Sequence, residues 1–162
     1  MNAPTALLVS LAALSLGPAK PNLIRMQAHD FAYTLPDGSE DMLNYFCDLE
    51  CQIFDGLGIA YQVVDTATGD LGGPAYRKFD LEAWMPGRGD AGPDGCPAGA
   101  YGETHSASRL YDYQCRRLNM RYRSGGGAGK GETVFCHSLN NTVIASPRVL
   151  IPILENHQNA DG

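Results

Sequence analysis

Apolar residues recur at helical spacing in one stretch of the first half of the chain. The stretch opens at Ser39, a residue type that caps helix N-termini, and ends at Gly56 and Gly58, which favour helix ends. The apolar positions between these signals are Met42, Leu43, Phe46, Leu49 and Ile53. Because they fall on one side of a helix, the pattern predicts an amphipathic helix packed on a sheet.

Strand signals follow this helix. Residues 59–64 form an apolar run that predicts a buried strand. Residues 76–85 alternate between apolar and polar positions and end at Pro86 and Gly87, so they predict a second strand. A third strand is expected through residues 103–106. These segments are short and separated by turn residues, as in an antiparallel sheet.

The last third of the chain predicts helices and a hairpin. A helix is expected around residues 110–120, then a hairpin with its outgoing strand at residues 133–138, then a final helix near residues 144–158. Pro152 lies inside that helix and costs about 3 kcal/mol unless the helix bends. The order of elements predicts an α+β fold, a partial antiparallel sheet with flanking helices.

A glycine-rich stretch at residues 125–131 resembles a phosphate-binding loop at first sight. Ser124 stands where that loop needs its first glycine, however, and Gly131 stands where it needs a serine or threonine. The stretch is therefore predicted to be the flexible tip of the hairpin, with its turn at residues 124–131.

Composition and charge limit the classes of protein to which the chain can belong. With 162 residues and 44% apolar content, the chain has room for one domain with a core. A net charge of −6 argues against a protein that coats nucleic acid by bulk electrostatics. Half of the twelve basic residues nevertheless fall in one stretch, which is either a phosphate-binding surface or a solvated helix face: Arg109, Arg116, Arg117, Arg121, Arg123 and Lys130.

The cysteines and the N-terminus are less specific. Five scattered cysteines predict reduced thiols, and no paired Cys-x-x-Cys motif favours a zinc site. The apolar run at residues 6–16 is too short to span a bilayer, and residues 1–4 lack the basic charge of a secretory signal. Residues 1–22 are therefore interpreted as a leader outside the domain, either an organelle transit peptide or an unrelated or misplaced start.

Several segments are more specific than any fold requires. They are YRKFDLEAWMPG at residues 76–87, YGE at 101–103, DYQ at 112–114 with RR at 116–117, HSLNNT at 137–142, PR at 147–148 and LEN at 154–156. In order and spacing they resemble the C-terminal part of the catalytic domain of seryl-tRNA synthetase, a class II aminoacyl-tRNA synthetase. The resemblance makes residues 23–162 a partial class II catalytic domain, with an inserted loop at about residues 90–100.

The resemblance implies a reaction, cofactors and partners. The family activates serine with ATP and Mg²⁺ and transfers it to tRNA(Ser), so serine, ATP and tRNA(Ser) are the implied partners, with no membrane. Catalysis of this kind rests on positioning and on charge neutralisation around the phosphates. The family is homodimeric, but its dimer motif is not found in this sequence. The implied location is cytoplasmic, or mitochondrial or otherwise organellar.

The resemblance also implies site residues. Arg148 matches the arginine that grips the γ-phosphate through its planar fork, and Glu103 matches the glutamate that contacts Mg²⁺ and ATP. Asn140 and Thr142 match the pocket for the serine side chain, where a site built to bond a hydroxyl rejects alanine. The remaining positions matched to ATP contacts are Thr104, His105 and Ser106.

Local sequence alone leaves simpler interpretations open. Glu103 can be an ordinary surface carboxylate and Arg148 a helix-face residue in a salt bridge. Residues 140–142 can be a polar turn that caps the final helix. These alternatives place the side chains on the surface or in a turn, whereas the resemblance places them together in a binding site.

The chain also departs from the family pattern. If residues 31–34 align with the segment after the second class II motif, His29 replaces a glutamate that contacts serine, Arg25 replaces an adenine-stacking phenylalanine, and Pro21 falls where an arginine belongs. The chain alone is therefore expected to make no seryl-adenylate detectable by pyrophosphate exchange. The alternative function is a truncated, catalytically inactive synthetase-like protein that acts as a binding or regulatory module.

Overall fold

The computed structural model describes residues 7–15, 25–123 and 131–161, with side chains described from residue 29 onward. Within these residues the strands are β1 Leu7–Ser15, β2 Arg25–Thr34, β3 Tyr61–Asp65, β4 Arg77–Met85, β5 Ala100–Arg109, β6 Arg121–Arg123, β7 Thr133–Phe135 and β8 His137–Ala145. The helices are α1 Ser39–Leu57, α2 Tyr113–Leu118 and α3 Ser146–Asn156.

Six of these strands form one antiparallel sheet in the order β1-β2-β8-β5-β4-β3, and β6 pairs with β7 in a separate ribbon. The predicted α+β class, with an antiparallel sheet flanked by helices, is confirmed. The tip of the predicted hairpin lies mostly outside the described residues, and β6 and β7 flank it. The outgoing strand β7 ends at Phe135, however, and residues 137 and 138 belong to β8. None of the described helices is long and apolar enough to cross a membrane.

Helix α1 covers one face of the large sheet, here called the helix-covered face. Its apolar side packs Leu43 and Phe46 against Leu139 of β8, while Phe54, two turns further on, packs against Leu81 of β4 and Val149 of α3. All of these side chains except Val149 are almost completely buried. Helices α1 and α3 therefore share this face of the sheet, as the spacing of apolar residues along α1 predicted.

Two local predictions at α1 and β3 are wrong. Ser39 does not cap α1, because its hydroxyl donates to the Pro36 carbonyl of the preceding turn at 2.9 Å, and Gly38 holds the cap position. Strand β3 is not buried, since Gln62, Val63 and Asp65 are exposed. It lies at the edge of the sheet with only β4 beside it, so one flank faces solvent.

The C-terminal elements also differ in extent from the sequence prediction. Strand β8 runs on to Ala145, so the final helix begins at Ser146. Residues 140–142 therefore lie inside a strand, and their interpretation as a helix-capping turn is wrong. Pro152 is buried inside α3, and the helix continues past it to Asn156.

The apolar run near the N-terminus contains β1, which pairs with β2 along nine residues at the edge of the sheet. No strand was predicted there, because residues 1–22 were interpreted as a leader. The rest of that segment, including Pro21, lies outside the described residues. The loop expected near residues 90–100 is largely exposed, with one isolated bridge between Ala91 and Pro97.

Candidate active site

Polar side chains form a row across the face of the sheet opposite α1, here called the polar face. Thr142 of β8 lies directly opposite His29 of β2 on one side and Ser106 of β5 on the other. Ser106 lies in turn opposite Asp80 of β4. Cross-strand partners point to the same face of a sheet, so these side chains lie side by side. Thr142 Oγ1 is 3.3 Å from His29 Nδ1.

Asn140 belongs to the same face. It is two residues from Thr142 along β8, and side chains two apart on a strand point the same way. Its cross-strand partners are Phe31 of β2 and Ser108 of β5. The structure thus brings the two residues matched to the serine pocket together with Ser106, which was matched to ATP.

A bulge in β5 decides which face Glu103 takes. Glu103 pairs with Glu82 and His105 pairs with Leu81, so the extra residue Thr104 sits between them. Glu82 is two residues from Asp80 on β4, the partner of Ser106. The bulge therefore places Glu103 and Ser106, three residues apart, on the same polar face.

Arg148 reaches Glu103 from the start of α3. Arg148 Nη1 donates to Glu103 Oε1 at 2.8 Å. The side chains of Arg148 and Glu103 are 50% and 41% exposed, so solvent screens the pair and it contributes little to stability. An ion pair of this kind is easily exchanged for contacts with a charged ligand.

The Glu103–Arg148 pair lines a cleft of about 250 Å³ together with Met85, Arg88 and Ile151. Ser106, Asn140 and Thr142 are not among the residues that line this cleft. The predicted site residues therefore form two groups, one at the cleft and one in the polar row beside it, joined by the Glu103–Ser106 segment of β5.

The side chains of Thr104 and His105 belong to neither group. Both are fully buried, and Thr104 Oγ1 donates to the Leu81 carbonyl at 3.1 Å. His105 packs edge-on against Phe54 of α1, and burial lowers its pKa to about 4, opposed by a backbone contact with Val143. Any contact of these two residues with ATP is therefore confined to their backbone atoms.

Two residues near the Glu103–Arg148 pair were not predicted from the sequence. Glu82 lies directly opposite Glu103, and its carboxylate accepts a hydrogen bond from Gln62 at 2.7 Å. Arg88 lines the cleft from the loop that follows β4. The alternation along residues 76–85 already put Glu82 on the polar face, whereas the position of Arg88 depends on a loop that carries no periodic signal.

The carboxylates of Glu103 and Glu82 fit Mg²⁺ only if substrate phosphates supply further ligands. The described residues contain no group of three or more acidic, histidine or cysteine side chains arranged for a metal. Mg²⁺ commonly binds proteins through one or two carboxylates plus substrate phosphates, because it keeps much of its water shell. Glu103, with Glu82 opposite, matches that donor set.

Glu50 introduces a buried acid below the polar face. It lies on α1 between Phe46 and Phe54, is completely inaccessible to solvent, and neither carboxyl oxygen has a hydrogen-bond partner among the described residues. Burial, with a smaller contribution from the charge of Asp80, raises the pKa of Glu50 to about 9. Glu50 is therefore neutral at pH 7 in the folded chain.

The antiparallel sheet, with an arginine at the start of the last helix beside a strand-borne glutamate, agrees with the class II fold. The sequence matches the tRNA synthetase class II core domain (G, H, P, S and T) over residues 23–157, and the chain belongs to that family. The family was expected from the sequence segments and is confirmed.

Within the family, the chain is similar to serine–tRNA ligases. It is 57% identical over 132 residues to the serine–tRNA ligase of Rhodopirellula baltica and 49% identical over 136 residues to that of Dictyoglomus thermophilum. These matches cover 82% and 84% of this chain and 29% of each relative. The chain thus spans less than a third of the length of these relatives.

Solved structures give the same assignment. Seryl-tRNA synthetase from Pyrococcus horikoshii, complexed with ATP, matches with a TM-score of 0.75 and 32% identity, over 98% of this chain and 34% of that one. The cytoplasmic serine–tRNA ligase from Naegleria fowleri, in complex with AMP, matches with a TM-score of 0.74 and 32% identity, over 95% of this chain and 37% of that one. Both neighbours therefore hold an adenine nucleotide.

Proposed function

We propose that this chain carries part of the serine-activating site of a serine–tRNA ligase, which joins serine to tRNA(Ser) through a seryl-adenylate. The observation that carries the proposal is the contact between Arg148 and Glu103 beside the polar row of Ser106 and Thr142. In this assignment the cleft binds the phosphates of ATP, and the polar row binds serine.

Activation forms one bond and breaks another at the α-phosphorus of ATP. A carboxylate oxygen of serine attacks the α-phosphorus, and the bond to the leaving pyrophosphate breaks with its electron pair on the pyrophosphate oxygen. A terminal hydroxyl of tRNA(Ser) then attacks the carbonyl carbon, and AMP leaves. Because negative charge gathers on phosphate oxygens, a fixed cation beside them lowers the barrier.

Arg148 and Glu103 would bind the triphosphate in different ways, Arg148 directly and Glu103 through Mg²⁺. The guanidinium of Arg148 suits two phosphate oxygens at once, which an ammonium group does less well. Glu103 would hold Mg²⁺, with Glu82 opposite it, and Mg²⁺ when bound neutralises the charge of the phosphates. Binding of ATP would replace the half-exposed ion pair between Arg148 and Glu103 with these contacts.

The polar row supports discrimination of serine from alanine. Thr142 and Asn140 offer a hydroxyl and an amide on one face, and both can bond the serine hydroxyl. Alanine would leave these groups without that partner, and an unpaired buried polar group costs about 1 to 3 kcal/mol. His29, beside Thr142, stands where the resemblance expects a carboxylate that contacts serine.

Replacing Arg148 with alanine is expected to weaken binding of Mg²⁺–ATP about tenfold, since a charge-assisted phosphate contact contributes about 1.5 kcal/mol or more. Isothermal titration calorimetry of the full chain measures the dissociation constant. Arg116→Ala, which removes an exposed arginine on α2, serves as the matched control and should leave ATP binding unchanged. Equal losses in both variants would mean that only general charge attracts ATP.

Replacing His29 with glutamate is expected to tighten serine binding about tenfold in the presence of ATP. A carboxylate beside Thr142 would accept a charge-assisted hydrogen bond from the ammonium group of serine, a contact of about 1.5 kcal/mol. NMR titration with labelled serine measures the affinity. His29→Gln has the same polar reach without the charge, and equal affinities of the two variants would contradict the assignment of the row to serine.

Pyrophosphate exchange separates a catalytic chain from a binding module. Serine-dependent exchange by the full chain, lost in Arg148→Ala, would support catalysis by this chain. Binding of ATP and serine without exchange would favour the non-catalytic alternative, in which the chain supplies only binding groups. If the chain bound neither ATP nor serine, the proposed function would be overturned.

A further inference from the structure

Arg88 is the second guanidinium of the cleft and has no acidic partner among the described residues. It lines the cleft with Arg148 and Glu103, but Glu103 is paired with Arg148. Among the described residues, the Arg88 side chain donates one weak hydrogen bond, from Nη1 to the Met85 sulfur at 3.9 Å. The positive charge of Arg88 is therefore not neutralised by a salt bridge with any described side chain.

Gly102 leaves room for the Arg88 guanidinium. A Cβ atom built on Gly102 would come within 2.0 Å of Arg88 Nη1. Gly102 is buried within β5, and its backbone is not among the positive-φ positions, so its conformation does not require glycine. The missing side chain instead leaves the space that the guanidinium occupies, next to the Met85 side chain.

The charge and size of the cleft favour a small anion with several oxygens. Two guanidinium groups and one carboxylate leave a net positive charge in a space of about 250 Å³. Pockets for drug-sized ligands measure about 300 to 1,000 Å³, so the cleft suits a short phosphate chain better than a whole nucleotide. Planar guanidinium forks bind phosphate oxygens two at a time.

We propose that Arg88 and Arg148 together form a polyphosphate site that binds the two terminal phosphates of ATP and the pyrophosphate that leaves. The inference rests on the proposed function for its biological ligand, but the anion site itself can be measured without a nucleotide. Arg88 is then a binding residue for the leaving group, and Gly102 is a positioning residue that acts by leaving room for it.

Titration of the full chain with inorganic tripolyphosphate, ATP and AMP tests the site. We expect Arg88→Ala to weaken binding of tripolyphosphate and ATP about tenfold, and Arg88→Lys to weaken it less, since one charge remains without the fork. AMP has no terminal phosphates, so its affinity should not change. Arg116→Ala is the control for general charge and should leave the affinities for all three probes unchanged.

Gly102→Ala provides an independent test because it keeps Arg88 and displaces its guanidinium. We expect this variant to bind tripolyphosphate more weakly than the natural chain but no more weakly than Arg88→Ala, because the displaced guanidinium stays on the chain. The double variant should bind no more weakly than Arg88→Ala. Thermal unfolding checks that the variant folds. If Gly102→Ala does not fold, the comparison of Arg88→Ala with Arg88→Lys still tests whether the Arg88 guanidinium binds tripolyphosphate.

The outcomes separate this inference from the proposed function. Unchanged affinity for tripolyphosphate and ATP in Arg88→Ala, with a loss in Arg148→Ala, would overturn the role of Arg88 and leave the proposed function standing. Binding of tripolyphosphate that depends on Arg88, without binding of ATP, would keep the anion site and overturn the nucleotide assignment. No binding of either probe would overturn both.

Discussion

The Glu50→Gln variant is expected to unfold with a free energy about 3 kcal/mol larger than the natural chain at pH 7. Burial raises the pKa of Glu50 from 4.5 to about 9. Between these values the unfolded chain releases the proton and the folded chain keeps it, so stability falls as pH rises, by about 1.4 kcal/mol per pH unit. Glutamine is neutral in both states and has no such cost.

Urea denaturation between pH 7 and 8.5 measures this effect. The natural chain should lose stability across the window, and Glu50→Gln should lose much less. His105, whose pKa burial lowers to about 4, contributes a pH dependence only below its ordinary value of 6.5 and so stays outside the window. Asp48→Asn, on the exposed side of α1, is the control and should keep the slope. If Glu50→Gln lost stability with pH as steeply as the natural chain, Glu50 would not be the source of this pH dependence.

Replacing Arg109 with alanine is expected to lower the free energy of unfolding by about 2 to 3 kcal/mol. The Arg109 side chain is only 9% exposed, forms an ion pair with Glu40 of α1, and lies over the rings of Tyr76 and Tyr111, 5.5 and 4.7 Å from their centroids. The variant loses the ion pair and both ring contacts. Glu40 keeps its second partner, Arg77, at 2.5 Å, which limits the loss.

Chemical denaturation of Arg109→Ala, Arg109→Lys and Arg116→Ala tests this. Arg116→Ala removes an exposed pair with Asp112 on α2 and should change stability by less than about 0.5 kcal/mol. Arg109→Lys should fall between, because its ammonium keeps the charge without the flat stacking surface. A loss in Arg109→Ala no larger than in Arg116→Ala would show that the cluster adds nothing.

Local spacing predicted the elements whose environment is uniform along their length. Helix α1 was placed correctly because its apolar positions repeat on one side and its glycine stop follows directly. The same spacing contained a signal that was missed, since Glu50 falls on the buried side between Phe46 and Phe54. The prediction that β3 is buried was wrong, because the position of a strand at the edge of a sheet depends on which strands pair. No local sequence pattern indicates this pairing.

The candidate site was predicted in part. The matched segments named Glu103, Arg148, Ser106 and Thr142, whose proximity arises from strand pairing between distant parts of the chain. Polar residues 140–142 suggested a turn, because side chains that line a polar face look the same as those of a loop. Arg88 was not foreseen, since its position depends on the space left by Gly102 on another strand.

The hydroxyl of Thr104 lies at the bulge that puts Glu103 and Ser106 on one face of the sheet. It donates to the Leu81 carbonyl, so the ring nitrogen Nδ1 of His105, 2.9 Å away, must donate to it. A regular ladder without the bulge would shift one part of β5 by one residue relative to β4. That shift would turn Ser106 towards α1 and bring His105 to the polar face. The bulge at Thr104 therefore determines which side chains of β5 lie on the polar face of the sheet.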